Sequence, residues 1–162
     1  MPNKWTYQVL PIARLLEEHV GMGKGWADPF AGQSRLAEHR NDLNPEHGQP
    51  SQVDASEFMA RLHRGLQGAL FDPPYSMEQI KRSYQRVGIA DWQTRYGNNK
   101  AGNFAPVKDL IAEKVRPGGK VISFGWNSSG MGKKRGFELI EMLIVAHGGN
   151  RNDTLVTIEI KQ

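Results

Sequence analysis

Cysteine is absent from the 162-residue sequence, which excludes disulfides, thiolate metal ligands and thiol catalysis and suits a reducing compartment. Long apolar runs are missing too: nothing approaches the roughly 18 residues of a membrane span. The stretch Met1 to Tyr7 is polar, so neither a signal peptide nor a transmembrane helix is expected, and the expected setting is the cytoplasm. Metal-ligand spacing is lacking. The five histidines, His19, His39, His47, His63 and His147, form no HExxH-type pair, and no metal is expected. No serine lies in a G-x-S-x-G elbow, which removes the usual hydrolase nucleophile. Neither charge sign dominates: 21 Lys and Arg stand against 17 Asp and Glu, a net charge of +4 that only mildly favours polyanionic partners.

What is present reads as one folded domain, residues 1–162, without internal repeats or low-complexity tracts. Val9, Ile12, Leu15, Leu16 and Val20 recur at helical spacing and are stopped by Gly21 and Gly23. A short strand is predicted over Gly25–Phe30, a brief helix over Gln33–His39 and a polar strand over Arg40–Asn44. A helix follows over Ser56–Arg64, capped by Asp54 or Ser56, then a buried strand over Ala69–Phe71 ended by Pro73 and Pro74. Pro106–Lys114 reads as a helix, Pro117-Gly118-Gly119 as a tight turn, and Lys120–Trp126 as a strand. Glu138–Ala146 and Thr154–Ile160, joined by a polar turn, form a hairpin. Alternating helices and short strands closed by a hairpin predict an α/β fold, mostly parallel with an antiparallel C-terminal strand, whose ligands bind at the carboxyl ends of the strands.

Two motifs carry chemistry. Asp72-Pro73-Pro74-Tyr75 follows the apolar residues Ala69 to Phe71. The prolines fix φ and carry no N–H, leaving backbone carbonyls beside them free to accept. An exocyclic amine on a nucleobase needs such a ledge, because its lone pair is delocalised into the ring. The carboxylate of Asp72 and the carbonyl of Pro73 can hold the two N–H bonds, and Tyr75 can stack on the base for about 1 to 3 kcal/mol. The plain alternative is an aspartate-capped proline turn. The second motif, Asp28-Pro29-Phe30-Ala31-Gly32, lies 44 positions upstream. Its small-residue turn admits close approach of a ligand, and its carboxylate suits the α-ammonium of an amino-acid cofactor. The glycine spacing fits neither the dinucleotide fingerprint nor the P-loop. Asp42 can take ribose hydroxyls and Asp54, beside Ala55, an adenine amine; each is equally at home as a loop acid or a helix cap.

Together these motifs resemble the amino-methyltransferases that modify adenine N6 or cytosine N4 in DNA, in which the first turn binds S-adenosylmethionine and the Asp-Pro-Pro-Tyr motif binds the target amine. The whole chain is most similar to the small adenine-specific enzymes of phages and prophages, with Asp42, Asp54 and the Arg116-Pro117-Gly118-Gly119 turn in matching order. The resemblance implies a Rossmann-like class I methyltransferase fold with helices on both sheet faces. It also implies S-adenosylmethionine as cofactor, DNA as partner, cytoplasm of a bacterial host as location, and adenine rather than cytosine as target. Gln33-Ser34 stands where many relatives carry a second glycine.

A base in a duplex must be flipped out, or presented in a single strand, before its amine is reached. Residues 76–104 are a possible target-recognition segment. They offer Lys81, Arg82, Arg86, Arg95 and Lys100 for phosphates, with Tyr84, Trp92 and Tyr96 interleaved. Lys133-Lys134-Arg135 is a second basic cluster. Two other functions stay open: amino-methylation of an RNA base on the same fold, and a catalytically silent nucleic-acid-binding module.

Overall fold

The computed structural model describes residues 6–89, 104–149 and 152–162. The first helix, α1 (Leu10–His19), forms because Ile12, Leu15 and Leu16 make one apolar stripe and Pro11 sits in the first turn, where its missing N–H costs nothing. It ends where Gly21, at φ +58°, donates its N–H back to the Leu16 carbonyl at 3.2 Å.

Six strands follow: β1 (Trp26–Asp28), β2 (His39–Arg40), β3 (Leu66–Phe71), β4 (Val115–Gly125), β5 (Phe137–Val145) and β6 (Thr154–Lys161). They form one sheet in the order β2-β1-β3-β4-β6-β5. The first four are parallel, and the C-terminal pair is antiparallel, β6 lying against both β4 and β5. The helices α2 (Ala55–Arg61), α3 (Met77–Arg86) and α4 (Ala105–Lys114) share one core cluster, with Ala69, Phe71 and Val121 from the sheet. Helix α1 buries a separate cluster against Leu70, Ile122 and Ile158. Successive strand residues point to opposite faces, so the alternation of Ala69 and Phe71 with Leu70 puts helices on both sides, as expected. No helix among the described residues is long and apolar enough to cross a membrane.

Three expectations need correction. Residues 33–39 form no helix. The connection from β1 to β2 is residues 29–38, shorter than the dozen or so residues of a helical crossover. Its carbonyls are claimed by side chains instead, Gln49 Nε2 donating to the carbonyls of Gly32 (2.7 Å) and Ser34 (2.8 Å). The strand expected over Arg40–Asn44 is paired only at His39–Arg40, with a single further bridge from Asn41 to Ser51. Finally, Pro117-Gly118-Gly119 does not precede a strand; β4 runs through it, and the register with β3 jumps from Leu66↔Val115 to Gly68↔Lys120 to absorb it. Residues Arg95 and Lys100, with Trp92 and Tyr96, lie outside the described residues.

Candidate active site

Strands β1 and β3 are hydrogen-bonded parallel neighbours, Ala27 opposite Ala69. Asp28 ends β1, and Asp72 is the first residue beyond β3, so both motifs open at the same carboxyl edge of the sheet. Both carboxylates are fully buried. Asp28 accepts from the Phe30 N–H at 3.1 Å and from the Tyr7 hydroxyl at 3.2 Å. Asp72 accepts from the Tyr75 hydroxyl through Oδ1 at 2.5 Å. Its Oδ2 is buried and has no hydrogen-bond partner among the described residues. A buried acceptor left without a donor is unusual and calls for an explanation.

Burial pushes the Asp28 carboxyl up to about 8; the Phe30 N–H opposes this and the charge of Asp72 adds to it. Burial also raises Asp72, to about 6, with the Tyr75 hydroxyl among the groups holding it down. The Tyr7 and Tyr75 hydroxyls are pushed above the ordinary phenol range, first by burial and then by the carboxylates they bond. The four side chains thus form one coupled cluster, two tyrosine–aspartate pairs set side by side.

The first turn is closed by residues with no evident signal in the sequence. Asn41, itself buried, donates through Nδ2 to the carbonyls of Pro29 (3.1 Å) and Val53 (3.0 Å), while its Oδ1 accepts from Val53 N–H. Ala31 donates its N–H to the Asn41 carbonyl. Asp42 accepts from Gly32 N–H at 2.8 Å and Asn44 N–H at 2.9 Å, and His47 Nδ1 lies 2.9 Å from the same oxygen as Asn44. A carboxylate has about four lone-pair sites, so Asp42 keeps room for another donor. Asp54 caps α2 by accepting from Ser56 N–H, takes a long hydrogen bond from the Tyr84 hydroxyl at 3.4 Å, and leads into the buried Ala55. Phe30 packs edge-on against Phe71 and Phe104 at 5.8 and 5.1 Å.

Two cavities flank the cluster. A space of about 500 Å³ lies between α1 and residues 33–36, with Tyr7, Gln33 and Ser34 in its wall. A smaller cleft of about 100 Å³ sits at the ends of β3 and β4, with Pro73, Tyr75, Trp126 and Lys108 in its wall. The larger volume adjoins the first motif and the smaller one the second; the chemistry of the Asp72 turn makes the smaller the more informative. Trp126, well exposed, meets the Tyr75 ring edge-on at 5.6 Å.

The basic residues divide. Lys81, Arg82 and Arg86 are exposed along α3, which starts directly after the second motif. Lys133, Lys134 and Arg135 instead precede Phe137, which pairs with Lys161 one step beyond the Lys120–Ile160 pair. Phe137 is therefore about 20 Å along the sheet from the Gly125 end. Arg135 is also committed internally, donating to Asp109 at 2.6 Å and to the Met131 carbonyl at 3.2 Å.

No protein-family model and no curated protein matches the sequence. The architecture is nonetheless shared with solved methyltransferases. The 1,6-didemethyltoxoflavin-N1-methyltransferase of Burkholderia thailandensis, solved with 1,6-didemethyltoxoflavin and S-adenosylhomocysteine, superposes with a TM-score of 0.63 and 14% identity over 98% of this chain and 80% of its own. TrmN from Thermus thermophilus gives 0.54 and 16% over 93% of this chain, which spans only 48% of that protein. An rRNA methylase from Streptococcus thermophilus gives 0.55 and 11% over 92% and 93% of the two chains. The chain has a Rossmann-like methyltransferase fold.

Proposed function

We propose that this protein transfers a methyl group from S-adenosylmethionine to the exocyclic N6 amine of adenine in DNA. The observation that carries the reading is the buried Oδ2 of Asp72, without a partner among the described residues and placed at the same sheet edge as the Asp28 turn. The donor and acceptor set fits the cofactor: a carboxylate for an ammonium at Asp28, spare acceptor capacity for a ribose hydroxyl at Asp42, and aromatic walls from Phe30, Phe71 and Phe104. S-adenosylmethionine, when bound, supplies an electrophilic methyl on a sulfonium.

The chain's own residues then do three things. Asp72 Oδ2 accepts one N–H of the amine and the Pro73 carbonyl accepts the other, turning the nitrogen lone pair outward. Tyr75, once displaced from its resting bond to Asp72, and the exposed Trp126 supply ring surface for the base. Asp72, with its carboxyl near 6, is ionised at neutral pH and can take the proton that the amine sheds after methylation. Because Asp72 has no exposed surface, the amine reaches it only when a neighbouring side chain gives way, and Tyr75 in the cleft wall is placed to do so. Positioning of this kind can contribute roughly 7 to 11 kcal/mol to the barrier. Phosphate contacts come from Lys81, Arg82 and Arg86 beside the rim.

The test is incubation with methyl-labelled S-adenosylmethionine and matched unmodified DNA and RNA, followed by digestion to nucleosides. Label in N6-methyladenine from DNA is the expected result. Label only in RNA moves the substrate to RNA. Absence of both cofactor binding and label returns the chain to a silent binding module.

A further inference from the structure

The cleft at the ends of β3 and β4 has a polar side that the mechanism above leaves unused. Ser123 on β4 is 6% exposed and lines the cleft, yet its Oγ has no hydrogen-bond partner among the described residues. Lys108, in the first half of α4, lines the same cleft and is equally buried. Its Nζ donates to the Gly130 carbonyl at 2.6 Å and stands 5.4 Å from the centre of the Phe71 ring. An ammonium carries three donors, and a buried one is placed at a cost unless those donors are used.

The placement is built rather than incidental. Glu159, buried on β6, accepts from the N–H groups of Met131 (2.5 Å) and Gly132 (2.8 Å) and so pins the loop after β4. Gly130 is at φ +40°, and a Cβ there would collide with the Glu159 carboxylate. Only glycine lets the loop come this close and turn its carbonyl onto Lys108. Burial lowers the Lys108 pKa, the charge of Arg135 pushes the same way, and Glu159 opposes both.

We infer that Ser123 and Lys108 select the base: with the amine held by Asp72 and Pro73, they donate to an acceptor nitrogen of the ring beside it. The inference rests on the methyl-transfer reading of the same rim. Lysine can only donate, so the atom it meets must be an acceptor. Adenine carries acceptor nitrogens, N1 and N7, on both sides of its amine, whereas cytosine has one, N3, on a single side. A donor pair in this cleft therefore finds an acceptor on adenine whichever way its ring lies, but on cytosine in one orientation only.

The test uses single-stranded oligonucleotides with one target base: adenine, 1-deazaadenine or 7-deazaadenine. Single-turnover methylation is measured for the wild type, Ser123→Ala and Lys108→Met. Wild-type transfer to adenine checks the underlying reading by itself, and no transfer to any acceptor overturns both. With that activity present, one deaza base is expected to lose about tenfold with the wild type, the size of one hydrogen bond. Ser123→Ala or Lys108→Met loses a similar factor on adenine and nothing further on that deaza base. Losses that multiply for both analogues, or full-speed transfer by both variants, overturn the inference. Ser123→Ala removes an unpartnered hydroxyl and leaves the packing in place, so it remains informative if Lys108→Met fails to fold.

Discussion

The turns at Asp28 and Asp72 share a sequence, Asp-Pro followed within two residues by an aromatic ring, and the same complete burial, yet they are satisfied differently. Asp28 has a donor on each oxygen, one from its own turn and one from Tyr7. Among the described residues, Asp72 has a donor on one oxygen only. Asp28, at about 8, is mostly neutral at pH 7 in the free protein, while Asp72, at about 6, is mostly charged. A repeated motif thus makes an acid with both oxygens satisfied on one strand and an acid with an unsatisfied oxygen among the described residues on its neighbour, and the difference comes from what packs around each.

Removing the open acceptor should have the largest effect. Asp72→Ala is expected to cut methyl incorporation into DNA by about 100- to 1000-fold, the scale of a lost transition-state hydrogen-bonding group, while calorimetry shows cofactor binding within a few fold of wild type. Unchanged incorporation would sink the assignment.

Asp28 sets the next test. A cation bound beside it favours its charged form, so cofactor binding should release a proton, and affinity should climb with pH and level off above about 8. Asp28→Asn should abolish that pH dependence and weaken binding about tenfold, a loss of about 1.4 kcal/mol. Calorimetry in buffers of different ionisation enthalpy reads the proton directly. The same group has a consequence for the free protein. Its pKa rises from 3.8 to about 8 on folding, so its contribution to stability is fully present below about pH 4 and is lost as pH rises through 8. Urea unfolding of Asp28→Asn should show a flatter pH profile between 6 and 8 than the wild type.

The tyrosines sharpen the contrast. Tyr75→Phe strips Asp72 of its only side-chain donor among the described residues and should cost about 2 to 3 kcal/mol. Tyr7→Phe leaves Asp28 with the Phe30 N–H and should cost about 1 kcal/mol. Equal losses in denaturant titrations would erase the distinction. The smallest effect belongs to the basic residues. Alanine at Lys81, Arg82 and Arg86 should reduce the slope of log affinity against log salt by about one unit for each phosphate no longer neutralised. Alanine at Lys133 and Lys134, away from the rim, should change DNA affinity less than about twofold.

Much of the scaffold was readable from local pattern. Helix α1 is announced by its apolar stripe and terminal glycine, α4 by Pro106, and the C-terminal hairpin by two apolar runs around a polar turn. These depend on interactions within a few residues. The missing helix over residues 33–39 was not readable, because a side chain sixteen positions from Gln33, that of Gln49, takes the carbonyls a helix would use. Asn41, Tyr7, Ser123 and Lys108 left no signal either: an asparagine before a loop acid, a tyrosine near the amino end, a serine in an apolar strand and a lysine in an ordinary helix look like surface residues until the chain folds around them. Their burial comes from neighbours far away in sequence.

By itself, the order of residues determined where an Asp-Pro step follows an apolar stretch and hence which acids stand at a sheet edge, since proline cannot donate to the ladder of a central strand and is tolerated only where the register shifts, as at Pro117. Only the tertiary structure decided that β1 and β3 are adjacent, that Tyr7 closes one acid while the second keeps an oxygen bare among the described residues, and that Ser123 and Lys108 face the same cleft as Pro73. Those outcomes are set by burial and by hydrogen bonds between distant segments, neither of which a local pattern encodes.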